Sequence, residues 1–292
     1  MSSPVGALGH LGLRTEYSFA SGGAVNVYQP IISEDLQLVK SYSFQDRVMN
    51  TPEQVGGRFM NEHIAGSITF PVSPSNPQNW WRCGIGQTSS PYYPSRPLES
   101  LAIEVDREMA GAYTSGDMVA SLELSSETGG ELTCVAQIEG KGFNTSTPSA
   151  PTFTSGDDPY LHNEAVFQIN GVTSTDIVSF SVSIDNNLST GLYANQRQRR
   201  LAPATKVVVT GSFKKLFEDA LTYNKFLQEN VVSLQAQYSR GANSFTILLN
   251  KVRLINDNTP VAGQAEYITE TFNFQAYVDD PSTERSIKIT VV

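Results

Sequence analysis

The 292-residue sequence predicts a mainly β protein made of duplicated β-sandwich units, each with a short flanking helix and a long hairpin or loop. Three observations predict it. Apolar and polar residues alternate with period two along most of the chain, helical periodicity is confined to two short stretches, and the order of elements in the first half returns in the second.

The alternation is clearest at 179–185 (SFSVSID), where Phe180, Val182 and Ile184 share one face and the serines the other. The same pattern marks strands at 101–106, 121–125, 271–276 and 286–291. Sheet that is apolar on one face and polar on the other is the signature of half-buried antiparallel strands. At 76–83 (NPQNWWRC), Asn76 is a candidate N-cap, Pro77 fits the first helical position, and Gly84 with Gly86 ends the turn. A second helix is expected within 217–228, with Phe217, Leu221, Phe226 and Leu227 on its apolar stripe. The Ser-, Thr- and Pro-rich run at 144–156 is too poor in apolar residues to form a core and reads as a connection.

The two halves echo one another at a nearly constant offset. Residues 41–44 align with 179–182, 67–70 with 207–210, 101–104 with 245–248, 116–119 with 258–261, and 134–139 with 274–279. The expected organisation is an N-terminal arm at 1–34, a first β unit at 35–145, a connection at 146–172 and a second β unit at 173–292.

Composition excludes several classes. The formal charge is −9 and only 17% of residues are charged, against roughly 25% on average, so the surface must be polar through Ser, Thr, Asn and Gln. A net negative chain lacks the Lys and Arg that hold phosphates by counterion release, which argues against tight nucleic-acid capture. No apolar run reaches the roughly 18–20 residues of a membrane span, and the start lacks the pattern of a secretory signal, so a soluble protein without membrane contact is expected. The two cysteines, Cys83 and Cys134, have no CxxC spacing and read as free thiols, and the sequons at Asn144 and Asn187 read as ordinary loop residues. Serine-hydrolase, zinc-protease and nucleotide-binding motifs are missing, and His10, His63 and His162 are widely separated. Neither catalytic nor metal-binding residues are assigned, and no cofactor is expected.

Several phrases, by their order, resemble the tail tube proteins of long-tailed bacteriophages, in particular the family with two copies of the tube fold in one chain. They are 116–124 (GDMVASLEL), 140–143 (GKGF), 179–188 (SFSVSIDNNL), 209–213 (VTGSF) and 271–277 (TFNFQAY) ahead of Asp280-Pro281. The resemblance spans 35–292 and implies sandwich units whose hairpins join those of neighbours around a lumen. It further implies rings, trimeric with pseudo-sixfold symmetry, stacked into a conduit for the genome. By the same resemblance the partners are further copies of the chain, the tail terminator, baseplate or tip and tape measure proteins, with DNA in transit. The place implied is the virion tail, assembled in the host cytoplasm.

Two site expectations follow. DNA must slide past a wall that does not bind phosphates, so acidic residues on the polar faces of predicted strands are candidates to face the lumen: Glu104, Asp106, Glu123, Glu139, Glu266 and Glu270. The long polar loops near 47–62 and 187–203 are candidates to meet adjacent rings, through Glu53, Arg58 and Glu62 in one and Arg197, Arg199 and Arg200 in the other. Two other classes compete. A lectin-like glycan-binding sandwich would use Trp80, Trp81 and the Asp-rich turns, and a hydrolase on a β scaffold would need clustered carboxylates that the sequence does not gather.

Overall fold

A computed structural model describes residues 9–44, 53, 56–107, 111–153, 157–217, 221–258 and 268–292. The first half contains β1 (His10–Glu16), β2 (Val27–Gln29), β3 (Ser33–Glu34), β4 (Gln37–Phe44), β5 (Gly57–Pro71), α1 (Asn79–Gly84), β6 (Ser100–Asp106), β7 (Gly111–Glu127), β8 (Thr133–Gly140) and β9 (Gly142–Ser146). The second contains β10 (Ala165–Ile169), β11 (Val172–Ser174), β12 (Ile177–Asp185), β13 (Val208–Leu216), α2 (Leu221–Leu227), β14 (Val232–Arg240), β15 (Asn243–Asn258), β16 (Thr269–Ala276) and β17 (Lys288–Val291). These strands belong to one antiparallel hydrogen-bonded network.

The pairings of the first half run β2–β1–β6–β7–β8–β5–β4, with β9 on the far edge of the start of β7. Those of the second run β11–β10–β14–β15–β16–β13–β12, with β17 on the far edge of the start of β15. Register shifts recur at matching places: β6–β7 between Leu101 and Ile103, β14–β15 between Val232 and Leu234. Likewise β7–β8 shifts between Val119 and Ser121, and β15–β16 between Leu254 and Asn256.

This pairing order assigns counterparts differently from the sequence phrases. Residues 101–104 lie in β6, whose place in the second half is taken by β14 rather than by the start of β15. Residues 116–119 correspond to the stretch of β15 before its bulge, not to 258–261, of which 259–261 lie outside the described residues. Short alternating segments fit one another in many registers, so phrase matching does not fix which strands correspond.

Strand β7 is 17 residues long. Its first half lies between β6 and β9, and its second half lies between β8 and β12. It turns between these settings at Gly116, whose φ of +67° is a conformation that glycine adopts without steric cost. A Cβ there would also stand 3.0 Å from Phe19 and Ala20.

The core is continuous through both halves. Trp80 and Trp81 are both buried; Trp80 stacks on Phe70 at 4.9 Å, and Trp81 reaches Phe245 of β15 at 5.1 Å. Rings of this size supply much of the apolar area that offsets chain ordering. A second tie closes near the C-terminal strand, where Tyr92 and Ile289 exchange backbone hydrogen bonds of 2.7 and 2.8 Å.

Three local readings change. Helix α1 begins later than expected, with Gln78 as its N-cap, because the Asn76 side chain is engaged elsewhere: it accepts from Ser73 N–H at 2.5 Å and donates to Gln29 at 3.0 Å. The segment read as an N-terminal arm contributes β1, with Leu11 and Leu13 fully buried against β6. The segment read as a connection contains β10, which pairs with β14. Both strands are short, and a short strand carries little alternation to be read.

Candidate functional site

The register of β8, β7, β12, β13, β16 and β15 lines up side chains of like polarity across six strands. One row runs Thr133, Ser125, Ser181, Ser212, Asn273, Asn256; the next, on the opposite face, runs Cys134, Leu124, Val182, Gly211, Phe274, Leu254. The second row is buried apart from Leu254 and Gly211. The first row is knit across strands: Ser125 to Thr133 at 3.2 Å, Ser181 to Ser212 at 2.9 Å, and Asn273 Nδ2 donating to Asn256 Oδ1 at 2.7 Å. Such cross-strand pairs stabilise a solvent-facing sheet without apolar contacts. Glu123 sits on this face opposite Ser183 and is exposed, and Glu127, Asp185 and Lys214 share the face.

Two of the open strand edges among the described residues stand at matching places in the two halves. In the middle of the network, β12 is paired on both edges, with β13 and with the second half of β7. In the first half, β4 occupies the place of β12 beside β5 but is paired only with β5. In the second half, the end of β15, Asn256–Asn258, occupies the place of the end of β7 but is paired only with β16. Unpaired backbone N–H and C=O groups along an edge are a template for another strand.

The acidic candidates fall in different places. Glu139 is half-buried and pairs with Arg199 at 2.8 Å. Glu104 is buried, accepts from Ser149 N–H at 2.9 Å and lies 3.6 Å from His10 Nε2; Asp106 is half-buried, 3.4 Å from His10 Nδ1. Glu270 is fully buried, in phase with Phe272 and Phe274 on the apolar face. Glu266 lies outside the described residues.

The structure brings the two long loops together at their bases. Glu62 N–H donates to Arg197 O at 2.9 Å, and Gln198 Nε2 donates to Glu62 Oε1 at 3.1 Å. Arg199 is buried, its Nε donating to Thr190 O at 3.0 Å, while Arg58, Arg197 and Arg200 are exposed, as is Glu53. Residues 45–52 and 54–55 of the first loop lie outside the described residues. On the nearby hairpin, Tyr42, Phe44 and Phe59 expose a cluster of edge-on rings, with Tyr42 4.7 Å from Phe44 and 5.0 Å from Phe59.

Sequence reading passed over one charged cluster. Lys215 is buried on the apolar face of β13, in phase with Val209 and Phe213, and its Nζ lies 3.0 Å from Asp176 Oδ2. Burial pushes the Asp176 carboxyl up, but hydrogen bonds from Ser174 and Lys215 together with the Lys215 charge outweigh it and hold the group below its ordinary value. The legible signal was a lysine, and in β16 a glutamate, at apolar-phase positions. Among the described residues no group of His, Cys, Asp and Glu is arranged to hold a metal ion, and no helix is long and apolar enough to cross a membrane.

The chain belongs to the phage tail tube protein family: the model of that family, described as phage tail tube protein, matches residues 9–276. No curated protein matches the chain.

Proposed function

We propose that this tail tube protein family member forms rings by pairing the open edge of β4 in one copy with the open end of β15 in the next, and that the rings stack into the conduit for the phage genome. The observation that carries this reading is the β7–β12 junction inside the chain. There the end of a long strand accepts the edge of a hairpin strand over seven residue pairs, from Ser121↔Asp185 to Glu127↔Ser179. The open edges of β4 and of the end of β15 take the same two positions in the pairing order. A head-to-tail contact of this kind leaves a socket and a plug on each copy and closes when the rotation per copy allows.

The repeated pairing order supports two units of common design per chain, and three chains would then present six alike positions around a ring. The polar row would face the lumen, with Glu123 exposed and Glu139 neutralised by Arg199, so that the wall offers hydroxyls and amides with a slight negative excess. Glu62, Arg58, Arg197 and Arg200 surround the base of the exposed hairpin, where an adjacent ring, the tip or the terminator would meet it. A structural role in the virion tail accounts for these features, whereas a glycan platform is disfavoured because both tryptophans are in the core.

Cysteines introduced at Val39 and at Asn256 or Asn258 test the edge assignment. Oxidation of assembled material should give chains linked in closed sets of three on a denaturing gel, with hollow rings or tubes by negative-stain microscopy. Monomers that stay unlinked in tubes of normal appearance would reject the edge, and globular monomers at high concentration would reject the tube. Native Cys83 and Cys134 do not interfere, because both are buried; burial pushes the Cys83 thiol up to about 12 and raises Cys134 as well.

A further inference from the structure

The geometry points to a covalent cross-link within the chain: an amide between Lys215 Nζ and Asp176 Cγ, formed with Glu270 as the proton relay. The three residues come from one spot on three neighbouring elements. Asp176 precedes β12, Lys215 lies near the end of β13, and Glu270 is the direct cross-strand partner of Lys215 in β16. Directly opposed residues project from the same face with Cβ atoms about 4.5–5.5 Å apart, so Glu270 starts beside Lys215 on one side, and the Asp176 carboxylate meets Nζ at 3.0 Å.

The setting is dry. Side-chain exposure is 6% for Lys215 and 10% for Asp176, and Glu270 is fully buried. The same face carries Phe213 and Phe272, whose rings lie 5.3 Å apart, and Phe226 of α2 covers Phe272 at 6.4 Å. The Lys215 ammonium also lies 3.4 Å from the Thr222 hydroxyl of α2. One buried ammonium beside two carboxyls leaves a surplus negative charge if both acids ionise, and low dielectric opposes that by keeping a proton on one of them. The Lys215 ion pair engages the Asp176 carboxylate, which leaves Glu270 as the group that passes protons.

The chemistry balances without an oxidant or an added group. A proton passes from the Lys215 ammonium to the carboxyl pair, leaving a neutral amine whose Nζ lies beside the Asp176 carboxyl. The lone pair on Nζ forms a bond to Cγ, a C–O bond of Asp176 breaks, and that oxygen leaves as water with one proton from Nζ and one delivered through Glu270. Glu270 ends as it began. Ammonium plus carboxylate becomes amide plus one water, and holding the reactants in contact supplies the effective concentration that the uncatalysed condensation lacks. The product would tie the start of β12 to the end of β13 beneath α2.

Intact-mass measurement on the purified, denatured full chain tests this, with a peptide map of the digest. The expected result is a mass lower than the sequence requires by one water, and a branched peptide joining the Lys215 and Asp176 segments. Lys215→Arg should restore the full mass, and Glu270→Gln should fold, as judged by circular dichroism, yet show the unreacted mass. A folded wild-type chain with full mass and a free Lys215 peptide overturns the cross-link. A water deficit that persists in Glu270→Gln overturns the relay. If Lys215→Arg does not fold, the wild-type peptide map decides alone. The measurement is made on single chains, so its failure leaves the assembly reading untouched.

Discussion

Thr114 has one hydroxyl proton and two acceptors within reach, Ile103 O at 3.2 Å and Asp117 Oδ2. Both contacts hold if Asp117 is protonated and donates to Thr114, which then donates to Ile103. The environment agrees: burial drives the Asp117 carboxyl well above its usual value, and the Glu16 charge adds to this against the lowering effect of the Thr114 hydrogen bond. A carboxyl whose folded pKa is raised costs nothing below the unfolded pKa of about 3.9, and native stability falls as pH climbs from there toward the folded value. Asn keeps the donor and removes the proton dependence. Asp117→Asn should therefore melt a few degrees above wild type at about pH 8, with the gap closing toward about pH 4, as followed by circular dichroism. At this scale the sequence was only partly readable. Alternation indicates which face a residue occupies, and applied to β16 and β13 it puts Glu270 and Lys215 inside with Phe272 and Phe213, against the expectation that Glu270 faces the lumen. It does not reveal that Glu104, in the buried strand β6, is met by Ser149 and His10 from distant segments.

Helix α1 is short, and its place is fixed by contact with β7 more than by its own hydrogen bonds. Gly84, its last residue, touches the strand: a Cβ there would fall 2.4 Å from Leu122 Cδ1 and 3.2 Å from Val119 Cγ1. Gly84→Ala should lift the helix and cost about 1–3 kcal/mol, measured as a lower urea midpoint with an unchanged m-value. The carbonyl of Gly84 also accepts from Asn186 Nδ2 at 2.8 Å, as does Val119 O at 2.9 Å, so the turn after β12 in the second half is anchored to the first. Elements with strong alternation, such as β12 and β16, were legible at nearly their observed bounds. β1, β10 and the bend of β7 were not, because a strand of five to seven residues or a glycine inside a strand is defined by partners far along the chain.

Across six strands the sheet carries a row of hydroxyls and amides on one face and a largely buried apolar row on the other, in keeping with a surface that is polar more through Ser, Thr, Asn and Gln than through charge. Glu123→Lys changes the sign of an exposed residue on the polar face without touching the apolar row. Tubes of this variant should assemble normally but retain double-stranded DNA in a filter assay at low salt, with retention falling steeply as salt rises; wild-type tubes should retain little. Equal retention by both would remove Glu123 from the wall. The β7–β12 junction was not legible in the sequence, because no local pattern encodes a contact between residues 121–127 and 179–185.

The clasp between Tyr92 and Ile289 has a bearing on when the molecule becomes competent. Residue 289 leaves the ribosome long after residue 92, so the backbone clasp at Tyr92 and the hydrogen bond from Val291 N–H to Ser90 Oγ form only once both of these distant segments have been synthesised.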